Sequence, residues 1–118
     1  MVILSFLPIG SDTNKGPELS FIDKRVVEYG DIQSGEKAEV YVSYKNTGDQ
    51  NLLIQDVGRS CNCTEVECDR NTLLPGETGK VKIIIDTKGK LGPEVIIVKL
   101  YLNTKRRHVI IRINLNVV

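Results

Sequence analysis

The side chains able to do chemistry in this 118-residue sequence are few: the cysteines Cys61, Cys63 and Cys68, and a single histidine, His108. Cys61 and Cys63 stand one residue apart in Ser60-Cys61-Asn62-Cys63-Thr64. In an extended strand, residues at that spacing point to the same side with Cα atoms roughly 6.6 to 7 Å apart. That is at or beyond the comfortable reach of a disulfide, so a bridge requires a bent backbone. As thiolates the pair could chelate a soft ion such as Cu(I) or Zn(II), with Cys68 as a third ligand and His108 as the one imidazole on offer. Structural zinc takes four ligands, and this set falls short of a comfortable site. Thiol redox chemistry is a third reading; it depends on a helix start or nearby cations, and here Arg59 is close but no helix is evident. Free cysteine is among the most buried residue types, and disulfides persist in exported proteins. A structural role is therefore favoured over metal binding by Cys61, Cys63 and Cys68 and over redox exchange.

Nothing else assembles into a catalytic set. His108 opens an alternating apolar segment without a serine, cysteine or carboxylate at recognisable spacing, as an exposed or capping histidine does. Glu77 and Asp86 fall in a turn and at a strand end. The glycines are spaced as turn formers and not as a phosphate-cradling loop, so no enzyme activity and no cofactor are expected. Sixteen basic residues against fifteen acidic ones leave a net charge of +1, which offers no field to attract nucleic acid or an anionic membrane. The run Lys105-Arg106-Arg107 lies between two apolar alternating segments and reads as a solvated hairpin tip.

The elements that must position these residues follow from periodicity. From Glu36 to Lys45 the even positions Ala38, Val40, Val42 and Tyr44 are apolar and the odd ones mainly polar, the pattern of a half-buried strand. Asn46-Thr47-Gly48-Asp49 ends it, and Leu52, Leu53, Ile54 and Val57 follow, which predicts two strands with a hairpin-like connection. Leu74-Pro75-Gly76-Glu77 has the residues of a type II turn, with a strand after it carrying Val81, Ile83 and Ile85 inward. Gly89, Gly92 and Pro93 break the chain before Val95 to Asn103, where Ile96, Val98, Leu100 and Leu102 share a face. Val109, Ile111, Ile113, Leu115 and Val117 line the last strand. With shorter pieces at Leu19 to Asp23 and Val26 to Tyr29, about seven strands emerge and no segment has a helical period. This is the signature of an all-β, immunoglobulin-like antiparallel sandwich. The absence of tryptophan separates it from antibody domains.

At the amino end, Val2, Ile3, Leu4, Phe6, Leu7 and Ile9 form an apolar stretch too short to span a bilayer and without the charged start of an intact export signal. It reads as a first strand or the remnant of a trimmed leader, and Gly10 to Pro17 as a linker. The expected organisation is residues 1–18 as this strand or remnant plus linker and 19–118 as one sandwich domain, a size at which a single core suffices.

The motifs occur in an order that resembles a known bacterial family, the domain of unknown function 1573, common in envelope proteins of Bacteroidetes and related to hydin-like and major-sperm-protein-like sandwiches. The resemblance covers roughly Leu19 to Val118. It is carried by Glu28-Tyr29-Gly30-Asp31-Ile32 with Gly35-Glu36, by Tyr44-Lys45-Asn46-Thr47-Gly48, by Ser60-Cys61-Asn62-Cys63-Thr64, by Leu74-Pro75-Gly76-Glu77, and by Asp86-Thr87-Lys88-Gly89 with Gly92-Pro93. Asn62 stands where the family usually has glycine, Lys105-Arg106-Arg107 replaces an Asn-Asp-Pro turn, and Cys68 has no counterpart. The resemblance implies an exported, periplasmic or cell-surface protein that is not known to be an enzyme, and it supplies no ligand. The expectation is a non-enzymatic interaction or structural module that meets another protein through a sheet face or an edge strand. The outward residues Val95, Ile97 and Tyr101, joined by Tyr41 and Ile84, form the candidate apolar surface. The runner-up is a thiol-based metal or redox protein using Cys61 and Cys63.

Overall fold

The computed structural model describes residues 15–118, so the expectations for Val2 to Ile9 and for the start of the linker lie outside the described residues. The described residues form nine strands in order: β1 (Leu19–Phe21), β2 (Val26–Ile32), β3 (Lys37–Asn46), β4 (Leu52–Arg59), β5 (Thr64–Cys68), β6 (Thr72–Leu73), β7 (Thr78–Asp86), β8 (Gly92–Leu102) and β9 (His108–Val117). They build a four-stranded sheet, β1-β3-β7-β5, and a five-stranded sheet, β2-β9-β8-β4-β6. Neighbouring strands run antiparallel except for β2 and β9, which pair in parallel from Val26 opposite Arg112 to Ile32 opposite Val117.

The alternation read from the sequence is the alternation of burial. Ala38, Val40, Val42 and Tyr44 on β3 and Val81, Ile83 and Ile85 on β7 face Ile96, Val98 and Leu100 on β8 and Ile111 and Ile113 on β9. These side chains fill the space between the sheets, each contributing about 1.5–3 kcal/mol of transfer free energy for the larger ones, set against the entropy of ordering the chain. Tyr44 pairs across the ladder with Gly79. A Cβ on Gly79 would stand 2.9 Å from the Tyr44 ring, so this glycine makes room for the core's largest side chain.

Turn chemistry works as its residues dictate at Leu74–Glu77, where Glu77 N–H donates to Leu74 O at 2.9 Å and Gly76 takes φ +87°. The basic run forms the tip between the antiparallel β8 and β9, with all its residues exposed.

One connection differs from expectation. β3 and β4 are not a hairpin but belong to different sheets. The buried Asn46 turns the chain over: its Nδ2 donates to Gln50 O at 2.7 Å and Leu73 O at 2.9 Å, while its Oδ1 accepts from Gly48 N–H at 2.9 Å. The Asp49 carboxylate receives the N–H groups of Lys15 and Gly16 at 2.9 and 2.7 Å, pinning the entering chain across the turn. The two strands absent from the sequence reading are β5 and β6. β5 alternates Thr64, Val66 and Cys68 inward with Glu65 and Glu67 outward, a pattern with too little apolar content to stand out.

Candidate functional site

The segment from Ser60 to Cys63 carries the chain from β4 in one sheet to β5 in the other. Thr64 N–H donates to Cys61 O at 3.2 Å, closing a turn over Asn62. That turn provides the bend a bridge needs: Cys61 and Cys63 are joined by a disulfide with Cα atoms 5.1 Å apart. Cys63 N–H points at Cys61 Sγ at 3.1 Å, and Cys63 Sγ lies 3.6 Å from the hydroxyl of the buried Thr64. Both cysteines are half-buried, and exposed Asn62 forms the crest between them. As a staple such a bridge does little. Loop-closure entropy for a ring of this length is worth about 1.6 kcal/mol, against ~3 kcal/mol for a 15-residue loop, and it ties together elements the chain already joins.

The third cysteine is elsewhere. Cys68 ends β5, and roughly 13 Å of extended strand separates it from Thr64, so it cannot complete a ligand set with the pair. Two of the three sulfurs proposed as metal ligands are bonded to each other, and no cluster of three or more His, Cys, Asp or Glu able to hold a metal is found among the described residues. Cys68 faces inward beside Tyr44, whose buried hydroxyl lacks a hydrogen-bond partner of good geometry. Burial pushes the Cys68 thiol above its usual range, with nearby Asp69 adding to the rise and Tyr44 opposing it. Burial, with Cys68 and Asp69 behind it, also pushes the Tyr44 phenol up. Both groups are held in their protonated forms at neutral pH. His108 starts β9 and packs its ring against Tyr101, centroids 6.0 Å apart.

The predicted apolar surface divides in two. Val95, Ile97 and Tyr101 lie on the outer face of the five-stranded sheet, with Val95 48 % and Tyr101 37 % exposed. Tyr41 and Ile84 lie on the outer face of the four-stranded sheet, on the far side of the core, and so do not join them. There Tyr41 carries the Lys80 ammonium 5.3 Å over its ring, and Ile84 sits in register between Glu39 and Glu65.

Beside the β8 residues the sheet has an open edge that the sequence reading missed. β6 pairs only with Leu52 and Leu53, so no strand of the described residues flanks Asp56 to Arg59 on that side. Ser60 N–H donates to Ile97 O at 2.9 Å and Ile97 N–H to Ser60 Oγ at 2.9 Å. By antiparallel alternation Gly58 and Asp56 then bond to β8, while the backbone groups of Val57 and Arg59 face outward. Asp56 already occupies one of them, its carboxylate accepting from Val57 N–H at 2.8 Å. Gly58 leaves a gap over which the Tyr101 ring lies, giving an open cleft of ≈ 260 Å³ lined by Gly58, Arg59, Ser60, Ile97, Lys99 and Tyr101. The visible signal for it is the glycine inside an alternating strand.

The two-sheet architecture defines an immunoglobulin-like β-sandwich domain. The chain belongs to the family described as "Protein of unknown function (DUF1573)", which it matches over residues 20–117. No curated protein matches it in sequence. Among solved structures it is similar to a protein of unknown function from Porphyromonas gingivalis W83, with a TM-score of 0.76 and 14 % identity, over 89 % of this chain and 49 % of that one. It also resembles part of the Vibrio cholerae VesB protease, with a TM-score of 0.70 and 21 % identity, over 92 % of this chain but 33 % of that one. The PapD-like domain 7 of human CEP192 aligns over 100 % of this chain and 93 % of its own length, with a TM-score of 0.59 and 11 % identity. At these identities the likeness shows the fold, and the chain spans half or less of the first two proteins.

Proposed function

We propose that this domain is a non-enzymatic interaction module of the bacterial cell envelope, and that it receives an extended segment of a partner protein along the open edge of β4. The observation that carries the reading is the coincidence of that edge with the cleft at Gly58. The outward carbonyl of Val57 and the outward backbone groups of Arg59 offer main-chain hydrogen bonds, and the adjoining depression against Ile97 and Tyr101 accepts an apolar side chain. Arg59 and Lys99 at its border favour acidic residues on either side of that anchor. A disulfide-bonded turn fits an oxidising compartment outside the cytoplasm. The pairing of His108 with an aromatic ring, with no acid or nucleophile beside it among the described residues, favours binding over catalysis.

Two variants test the reading. Arg59→Pro removes an outward N–H from the edge, and Tyr101→Lys fills the cleft with charge; both positions are exposed enough to leave the core intact. Affinity capture from an envelope extract of the source bacterium should recover one protein with the wild type and lose it with both variants at unchanged melting temperature. Retention of that protein by both variants would refute the proposed edge.

A further inference from the structure

We infer that the Cys61–Cys63 bridge is an exchangeable disulfide that takes electrons from thiols, with Cys63 as the sulfur attacked and Cys61 as the sulfur released. Three features of the turn carry this. The bridge closes a ring too short to restrain the unfolded chain much, and both its cysteines lie in the connection between β4 and β5, outside the paired residues of either sheet. It is only half-buried, and Cys63 borders a depression of ≈ 140 Å³ on the outer face of the four-stranded sheet, where Lys37, Asn62, Glu65, Ile84 and Asp86 form the rest of the lining. Finally, the two sulfurs are not equivalent. The backbone N–H of Cys63 aims at Cys61 Sγ from 3.1 Å and supports negative charge arriving there, whereas Cys63 Sγ has only the longer contact, 3.6 Å, with the Thr64 hydroxyl. Release of the better-supported thiolate directs attack to the other sulfur.

The chemistry balances as follows. A thiolate RS⁻ attacks Cys63 Sγ along the line of the S–S bond; an RS–Sγ bond to Cys63 forms, the Sγ–Sγ bond breaks, and its electron pair leaves on Cys61 Sγ, which then takes a proton from solvent. A second thiolate attacks the sulfur of R in the mixed disulfide, giving RSSR and the Cys63 thiolate, which is protonated in turn. Two electrons and two protons have passed from two RSH to the cysteine pair. With RSSR in excess the same steps run backward and restore the bridge. Cys68 takes no part, being roughly 13 Å of strand from Thr64 and turned toward Tyr44.

The test uses the unmodified protein, purified without reductant. It is equilibrated in glutathione buffers from fully oxidised to fully reduced, and in a parallel series with a reduced dithiol oxidoreductase, then acid-quenched, alkylated and mapped by peptide mass spectrometry. The expected result is conversion of the bridge to a dithiol within at least one series, because structural disulfides resist the glutathione pool whereas exposed, weakly held ones do not. Reaction in the first series assigns a small thiol as the donor, and reaction confined to the second assigns a protein dithiol. Short incubation with reduced glutathione should place the adduct on Cys63 in preference to Cys61 by about tenfold, the factor expected from one hydrogen bond to a charged sulfur. A bridge that stays closed in both series overturns the inference, and an adduct found mainly on Cys61 overturns the assignment of roles.

Discussion

Replacing Asn46 by aspartate changes one group and almost no volume, and it isolates the device that turns the chain from one sheet to the other. The side-chain oxygen that accepts from Gly48 N–H is retained, but the amide that donates to Gln50 O and Leu73 O, at 2.7 and 2.9 Å, becomes a second oxygen facing two carbonyl oxygens in a fully buried site. Losing the buried bond to Leu73 O costs about 2–3 kcal/mol with the desolvated carboxylate beside it, and losing the part-buried bond to Gln50 O costs less, so Asn46→Asp should cost about 3 kcal/mol at pH 7. That is a large part of the ~5–15 kcal/mol that holds a domain of this size, and it corresponds to a drop in melting temperature of about 12 °C. Burial and the facing carbonyls raise the introduced carboxyl's folded-state pKa above its unfolded value near 4, so the folded form binds the extra proton. Between those two values stability therefore falls as pH rises, and acidification toward pH 4 should return part of the loss, since the protonated acid can again donate to one of the carbonyls. Urea melts of wild type and variant at pH 7 and pH 5 measure both effects. A variant within ~0.5 kcal/mol of wild type at pH 7 would refute the role given to Asn46.

Two further outcomes concern the inward end of β5. Tyr44→Phe removes a buried hydroxyl that makes no hydrogen bond of good geometry, so it should be neutral or stabilising by up to about 1 kcal/mol in thermal melts, unlike a typical core change; a loss above ~1 kcal/mol would show that the hydroxyl is well bonded. Cys68, its thiol held protonated by burial, should be alkylated by iodoacetamide far more slowly than a peptide cysteine at pH 8. Its rate should still be climbing above pH 9, and because the folded state holds that proton longer than the unfolded chain, the thiol's contribution to stability is lost as pH rises beyond 9.0; an ordinary alkylation rate at pH 8 would contradict this.

The strands that shape the core were legible because their side chains obey the period of two: β3, β7, β8 and β9 each bury the face that their Val, Ile and Leu residues mark. What periodicity cannot show is which sheet a strand enters. Asn46-Thr47-Gly48-Asp49 has the composition of a hairpin turn, and only the inward side chain of Asn46, bonded to a carbonyl on β6, makes it a crossover. The same limit separated Tyr41 and Ile84 from Val95, Ile97 and Tyr101: all five point outward, but outward has two directions in a sandwich. The cysteine pair was visible as chemistry, and its bent turn was the stated condition for a bridge. The open edge of β4 was not visible, since it arises from the shortness of β6, two residues with no pattern of their own.

The parallel pairing of β2 with β9 has a mechanical meaning. Glu28 and Asn114 are joined across 86 positions of sequence, so closing this seam carries a large loop-closure cost, of the kind that slows folding. Once closed, it bears load in a particular way. Tension applied at the start of β2 and the end of β9, as happens once β1 has peeled from β3, pulls two parallel strands lengthwise in opposite directions, so the rungs from Val26–Arg112 to Ile32–Val117 are strained together and not peeled one by one. A domain tethered at both ends would then resist stretching as a lap joint does, with its strongest direction along the axis of the chain that carries it.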